Sequence, residues 1–149
     1  MSIYDSEVTV HHCRFDQTSS RSPFATGATA RLHLFNNVAS NGLDWTVGSG
    51  CLAQVLMEGC VFENDQAVTR LSTCSTSYER GLMNAPPGSN SYRDESTVHV
   101  GGDGGEPHDA VFTPSYIYPL EPAADAWPRV ISRAGAGGPW ALPLVLDGG

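Results

Sequence analysis

The sequence predicts an all-β protein that folds as a right-handed parallel β-helix, and two observations lead to this fold class. Glycine and proline supply 26 of the 149 residues (16 and 10), whereas charged residues make up only 16%. This balance favours β structure with many turns over a helical bundle. In addition, a short alternating segment recurs with a period of 23 or 24, which is typical of a solenoid coil. We therefore expect a partial solenoid of about three coils within residues 1–83.

The recurring segment occurs at residues 8–15, 32–39 and 55–62. Alternate side chains of a strand point to opposite faces, so one set of residues faces the interior of each coil. That predicted inward set is Val8, Val10, Leu32, Leu34, Val55 and Met57. One coil cannot bury this face alone, but stacking equivalent strands about 4.8 Å apart supplies both the hydrogen bonds and the core.

The remainder of the chain predicts less regular structure. Residues 84–110 are rich in glycine, proline and serine and predict a long surface loop with one short strand at 97–100. Residues 111–149 predict a C-terminal tail that packs back on the solenoid. The tail contains one short helix at 123–134, which Pro128 weakens.

The charged residues exclude several classes of function. All eight basic residues are arginine, so chemistry that needs lysine, in a Schiff base or a phosphate-binding P-loop, is excluded. Sixteen acidic residues give a net charge of −8, which argues against nucleic acid as a partner. No apolar run approaches the length of a membrane span, and the first residues lack the basic and apolar regions of a signal peptide.

The four cysteines are Cys13, Cys51, Cys60 and Cys74. They show neither zinc-ligand spacing nor the density of a disulfide scaffold, so buried free thiols are the default expectation. Cys13 and Cys60 fall two coils apart and cannot bridge. Cys51 and Cys74 are separated by one period of the repeat and could stack on neighbouring coils. A disulfide between Cys51 and Cys74 is therefore possible, although two free thiols are favoured.

Histidine and aromatic residues give weaker signals. His11 and His12 are adjacent on a strand and point to opposite faces, so we expect them not to share a metal ion and favour structural roles. His33, Phe35 and Trp45 could line a sugar groove. A surface or core role is equally compatible with the pattern at each of the three.

Four segments, three of which contain the repeated strands, follow one another in order along the chain: VTVHHCRF, Arg21-Ser22-Pro23, LHLFNN and AQVLMEGCVFEN. Their order and spacing resemble the back half of the pectate and pectin lyases, polysaccharide lyase family one. The stretch FTPSYIYPLEPAADAWPRVISRAGAGG resembles the terminal segment of the same family. The chain therefore resembles the C-terminal part of this family.

The resemblance implies a secreted, monomeric enzyme that cleaves α-1,4-linked polygalacturonate (pectate) by β-elimination. Arg21 matches the family's catalytic base. A guanidinium has a pKa above about 12 and acts as a base only where neighbouring positive charge lowers that pKa. The resemblance also implies that Ca²⁺ bridges the substrate carboxylates. Its ligands in the relatives come from strands that precede the His-His segment, so we expect no metal ligands in this chain.

The resemblance implies substrate contacts as well, and here the chain departs from the family. Pro23 belongs to the Arg-x-Pro motif, and His33 and Arg31 are the remaining candidates for substrate binding. The second arginine of the family, five residues after the first, is replaced by Thr26. Arg31 is the one candidate to replace it.

Two alternatives stand beside the interpretation as a pectate lyase. The loss of an arginine at Thr26 favours a non-catalytic β-helix that binds acidic polysaccharide. A pectin lyase that acts on the methyl ester without calcium is the third interpretation.

The acidic cluster Asp103, Glu106 and Asp109 lacks the alternation of a calcium loop, so we interpret it as solvated loop.

Overall fold

The computed structural model describes residues 1–74, 79–96, 99–101 and 105–134. Within them the chain forms short strands followed by one helix. The strands are β1 (Ser2–Tyr4), β2 (Glu7–His11), β3 (Arg14–Asp16), β4 (Phe24–Thr26), β5 (Arg31–Phe35), β6 (Val38–Ser40), β7 (Val47–Gly50), β8 (Gln54–Glu58), β9 (Val61–Glu63), β10 (Thr69–Ser72), β11 (Leu82–Asn84), β12 (Ser91–Arg93) and β13 (His99–Val100). The helix is α1 (Ala123–Arg133).

The strands stack into three parallel sheets, which confirms the predicted β-helix. The first sheet has the order β1-β4-β7-β10-β13, the second β11-β8-β5-β2 and the third β12-β9-β6-β3. The first twelve strands form coils that each contribute one strand to every sheet, and β13 adds one further strand to the first sheet. About three regular turns follow the predicted period. Val10 pairs with Leu34, and Leu34 pairs with Met57. The repeat predicted from the sequence is therefore the actual register of the second sheet.

The core lies between the three sheets and is lined by the predicted inward face. The buried members of that face are Leu32, Leu34, Val55 and Met57. Val8 and Val10 pack against the same cluster but are only half-buried, because β2 is the edge strand of its sheet. The alternation of the sequence thus identifies the interior of the solenoid.

The segment predicted as a long loop contains part of the solenoid. Strand β11 pairs with β8, β12 with β9, and β13 with β10. The predicted strand at 97–100 is found in its last two residues, while residues 97 and 98 lie outside the described part. These strands are short and their spacing departs from the period of the earlier coils, which is why the sequence pattern missed most of them.

Asparagine and cysteine alternate in the turn between the second and third sheets. The side-chain amide of Asn37 accepts from the Cys13 N–H at 2.9 Å and donates to the Val10 carbonyl at 2.8 Å. Asn90 repeats both bonds one coil further on, with the Cys60 N–H and the Met57 carbonyl. Each asparagine therefore satisfies two backbone groups of the preceding coil, and the cysteines fill the space between.

The asparagine bonds predict a stability difference. We expect Asn37→Ala to lower the free energy of unfolding by about 1–3 kcal/mol, because two backbone groups lose their partner in a largely buried turn. Gln66→Ala is the control, since that side chain is exposed and its loss should change stability by less than about 0.5 kcal/mol. Urea denaturation of both variants measures the difference, and equal effects would contradict the assignment.

The expectation of thiols at all four cysteines is wrong for one pair. Cys51 and Cys74 form a disulfide with their Cα atoms 4.7 Å apart. They follow Gly50 and Ser72 closely, and those two residues are paired in register between β7 and β10, which brings the cysteines within bridging distance. Cys13 and Cys60 are free. Burial raises the pKa of the Cys60 thiol to about 12.

Helix α1 covers the third sheet, and it begins at Ala123, as the helix predicted from the sequence does. Its buried Val130 packs in one cluster with Val38 and Val61 of the sheet. The helix contains Pro128, which removes one N–H but does not end it. No helix in the described part of the chain is both long and apolar enough to cross a membrane. The predicted Gly-Ala-Gly ending lies outside the described residues.

Candidate functional site

Arg21 lies in the turn that leads from β3 into β4. Its backbone is left-handed, with φ +57°, and the next peptide bond, Ser22-Pro23, is cis. Two hydrogen bonds tie the turn to the next coil, because the Ser22 N–H donates to the Thr46 carbonyl and the Pro23 carbonyl accepts from Gly48. The Arg21 side chain is exposed, so a buried, anchored turn presents a guanidinium to solvent.

The guanidinium of Arg21 lies over an aromatic pair on the outer face of the first sheet. Its central carbon is 5.4 Å from the centre of the Phe24 ring. Phe24 in turn meets the indole of Trp45 edge to face, with ring centres 5.4 Å apart. On the far side, the guanidinium of Arg70 lies 5.8 Å from the Trp45 ring. Two cations therefore flank one aromatic pair.

The strand register explains this arrangement. Phe24, Gly48 and Arg70 pair laterally across β4, β7 and β10, so they form one row of the sheet. Gly48 is needed in the middle, because an added Cβ would lie 2.4 Å from Trp45 and 2.7 Å from Phe24. The missing side chain leaves the space that the two rings occupy. We call Arg21, Phe24, Trp45, Gly48 and Arg70 the arginine face.

The two arginines of this face carry exposed charge. In the described part of the chain, the arginines found in ion pairs with carboxylates are Arg14, Arg80 and Arg129. Arg21 and Arg70 are exposed and in none of those pairs. In a protein with a net charge of −8, two such cations on one face can attract anionic ligands that the rest of the surface repels.

The structure separates the predicted site residues into two groups. Arg21 belongs to the arginine face, Pro23 lies two residues after it, and Thr26 ends β4, the strand that carries Phe24. Arg31 and His33 lie on β5 in the second sheet, and the structure does not bring them together with Arg21. Arg31 is exposed there, whereas His33 is only 1% exposed.

His33 is buried because the tail covers the second sheet. Residues 116–121, here the cover segment, place two tyrosines over it. The Tyr116 hydroxyl lies 2.7 Å from His33 Nδ1, and Glu58 Oε2 lies 3.2 Å from Nε2. The Tyr118 hydroxyl donates to the same Glu58 oxygen at 2.7 Å. This network holds the cover segment on the solenoid.

His33 gives the protein a predicted pH dependence. Burial lowers the pKa of His33, although Glu58 acts in the opposite direction. The unfolded chain then binds a proton more readily than the folded protein as the pH falls through 6.5, so stability decreases. We expect the midpoint of thermal unfolding to fall between about pH 7 and pH 5, and to fall less in His33→Asn. Equal slopes for both proteins would contradict this role.

The adjacent histidines differ from the expectation that they point to opposite faces. His11 Nδ1 and His12 Nδ1 are 3.0 Å apart. The reason is that β2 ends at His11, while His12 adopts a left-handed backbone with φ +51° and turns its ring back. The alternation rule holds only inside a strand.

The described residues do not fit a calcium site. They contain no group of three or more His, Cys, Asp or Glu side chains that could hold a metal ion. In the predicted acidic cluster, Asp109 makes two hydrogen bonds with Arg80, at 2.6 and 2.7 Å, which lower the pKa of its carboxyl group. Asp103 lies outside the described residues.

Sequence reasoning missed Phe24 and Arg70. The signal that could have found them is the period itself, because Gly48 and then Arg70 follow Phe24 at close to the spacing of the repeat. Alternation is used to find the inward-facing residues of each strand, so the outward-facing row that contains Phe24 and Arg70 is overlooked.

Comparison with known proteins supports the fold through one solved structure. The sequence matches no protein-family model and no curated protein sequence. Among solved structures, the fold is similar to a thermostable pectate lyase, PL 47, with a TM-score of 0.52 and 15% sequence identity. The match covers 92% of this chain and 42% of the other, so the chain spans less than half of that enzyme's length. This likeness shows the fold.

Proposed function

We propose that the arginine face binds an acidic plant polysaccharide of the pectate type. The observation that carries the proposal is the pair of exposed guanidiniums flanking Phe24 and Trp45 on one sheet face. Arginine forks match carboxylate geometry, and the half-buried Phe24 ring leaves part of its apolar surface open between the two cations, while Trp45, only 8% exposed, packs against that ring. Arg70 lies two strands from β4, about 10 Å, so the two arginines can reach two different sugars of one chain.

We further propose that the bound polymer is cleaved by β-elimination with Arg21 as the base. Arg21 acts in its neutral form, after its guanidinium has lost a proton to water; it then takes the C5 proton, the electron pair forms the C4=C5 double bond, and the C4–O bond breaks. The departing oxygen takes a proton from water. Arg70 contacts the carboxylate of another sugar of the same chain and so holds the polymer across the arginine face. The Arg21 motif and the similarity to a pectate lyase fold support this step.

Calcium and secretion are parts of the same proposal. Because the described residues do not fit calcium, no step is assigned to that ion, and its role is an experimental variable. The Cys51–Cys74 disulfide supports an oxidising compartment, which is consistent with secretion.

The direct test is an ultraviolet assay of the protein encoded by the complete reading frame. We expect unsaturated products from polygalacturonate in the presence of calcium. Loss of activity with a chelator supports the pectate lyase, whereas chelator-insensitive cleavage of the methyl ester identifies a pectin lyase. No unsaturated product from either substrate would contradict the catalytic proposal.

Arg70 has a separate predicted effect. We expect Arg70→Ala to raise the KM for polygalacturonate about tenfold, since it removes one charge-assisted contact of about 1.5 kcal/mol. Arg93→Ala is a matched control, because Arg93 stacks on Trp127 in the same way but extends from the third sheet. If both variants changed the KM equally, the arginine face would lose its support.

One observation favours a non-catalytic binding module as the second candidate. Thr26 occupies the position of the family's second arginine, so a cation next to the reacting sugar is missing. Binding of polygalacturonate without any unsaturated product would establish this alternative.

A further inference from the structure

We propose that His11 and His12 form a binding site for a divalent transition-metal ion, outside the arginine face. The site lies at the end of β2, beside the cover segment. Imidazole nitrogen suits nickel, copper and zinc, which makes these the expected class of ligand.

The first support is the distance between the two nitrogens. Nδ1 of His11 and Nδ1 of His12 are 3.0 Å apart. Two nitrogens bound to one ion at about 2.0–2.1 Å lie about 2.9–3.4 Å apart for bond angles between square and tetrahedral. The nitrogens are therefore already at the separation that a shared ion requires.

The second support is the orientation of the rings. Their centres are 5.2 Å apart, further than the two Nδ1 atoms, so each Nδ1 lies on the side of its ring that faces the other ring. In the free protein one Nδ1–H donates to the other Nδ1. For both lone pairs to meet at one ion, each ring tilts away from the line that joins the two Nδ1 atoms, and the exposure of His11 leaves its ring room to do so.

The neighbouring groups limit the positions that the two rings can adopt. The His11 ring stacks on Phe35, with centres 4.8 Å apart and planes 6° from parallel. The left-handed backbone fixes the direction of His12. This preorganisation lowers the entropy that binding must overcome.

Glu121 supplies the support that histidine ligands usually have in metal sites. Its Oε1, which also accepts from Arg129, lies 3.8 Å from His12 Nε2, the nitrogen on the opposite side from the proposed ion. When the ion occupies both Nδ1 atoms, each imidazole carries its proton on Nε2, and His12 can donate toward this carboxylate. The second oxygen, Oε2, is buried without a hydrogen-bond partner among the described residues. No proton is gained or lost in the tautomer change.

The site is accessible, because His11 is exposed and His12 half-buried. Two protein ligands leave the remaining coordination positions to water or another small ligand. The proposed site is therefore an open one, in contrast to the closed four-ligand sites of structural zinc.

Isothermal titration of the untagged protein with Ni²⁺ tests the site. Ni²⁺ is the probe because Cu²⁺ would react with the free thiol of Cys13, which adjoins the pair. We expect one ion per chain, and a rise in Kd of more than about tenfold in both His11→Ala and His12→Ala. Glu121→Gln should weaken binding about tenfold through the outer-shell contact.

His108→Ala is the control, since His108 is exposed and remote in sequence and its loss should leave the Kd unchanged. His11→Gln and His12→Gln replace any alanine variant whose thermal unfolding shows that it does not fold. Absence of binding by the wild type, or binding that survives in both histidine variants, would overturn the proposal.

Discussion

Replacing Arg21 with alanine should reduce the release of unsaturated products from polygalacturonate by at least about a thousandfold. Positioned acid–base groups contribute about 10²–10⁴ to rates, and a proton-abstracting group that also contacts the substrate lies in the upper part of that range. The variant should still fold, because the Arg21 side chain is exposed and the turn is held by backbone hydrogen bonds. The rate of increase of ultraviolet absorbance measures the effect.

Arg14→Ala is the matched control for this experiment. Arg14 is also exposed, but it pairs with Asp16 on the third sheet at 3.1 Å. Its removal should leave the rate within twofold of wild type. An Arg21→Ala variant that keeps wild-type activity would exclude Arg21 as the base.

The second large effect concerns stability. Leu34→Ala should lower the free energy of unfolding by about 2–5 kcal/mol, the range for removing a large buried side chain. Leu34 is 2% exposed and lies in the core row between Val10 and Met57. The substitution removes side-chain contacts with the two neighbouring coils and leaves a cavity. The short strands cannot close that cavity by local movement.

Leu43→Ala provides the comparison, since Leu43 is a leucine that is 63% exposed. We expect it to change stability by less than about 0.5 kcal/mol. Chemical denaturation of the two variants gives the result. Similar losses at the two positions would contradict the assignment of the inward face.

The fold could be predicted where the sequence repeats. The sequence period fixes the lateral pairing of Val10, Leu34 and Met57, and alternation then identifies the core. Both signals fail in the later coil, because 30 residues separate Cys60 from its neighbour Asn90 and the strands there are shorter still. Asn90 nevertheless completes the turn in the same way as Asn37, through contacts that local pattern cannot show.

The candidate site could be predicted only in part. The Arg-x-Pro motif identified Arg21, but Arg70 contacts the same aromatic pair from a strand two coils further along the chain, so no local motif contains both. His33 follows the outward alternation of β5 and would be exposed if the cover segment did not lie over it. The sequence offered no means to place that segment, because its position depends on tertiary contacts of Tyr116 and Tyr118.

The pairing of His11 and His12 depends on one backbone angle. Alternation predicts opposite directions for neighbours within a strand, and the left-handed φ of His12 reverses the second one. Non-glycine residues rarely adopt this conformation, so a sequence rule cannot anticipate it. Asn36 has the same left-handed backbone at the equivalent position of the next coil, which shows that the turn rather than the histidine sets the angle.

The most direct test of the account is to map the binding of trigalacturonate by NMR. If the arginine face binds acidic polysaccharide, the backbone signals of Phe24 and Gly48, the indole signal of Trp45 and the guanidinium signals of Arg21 and Arg70 should shift together on titration. The signals of Arg14 and Arg93, on the third sheet, should stay in place. Shifts confined to other faces, or no shifts at millimolar ligand, would contradict the central claim.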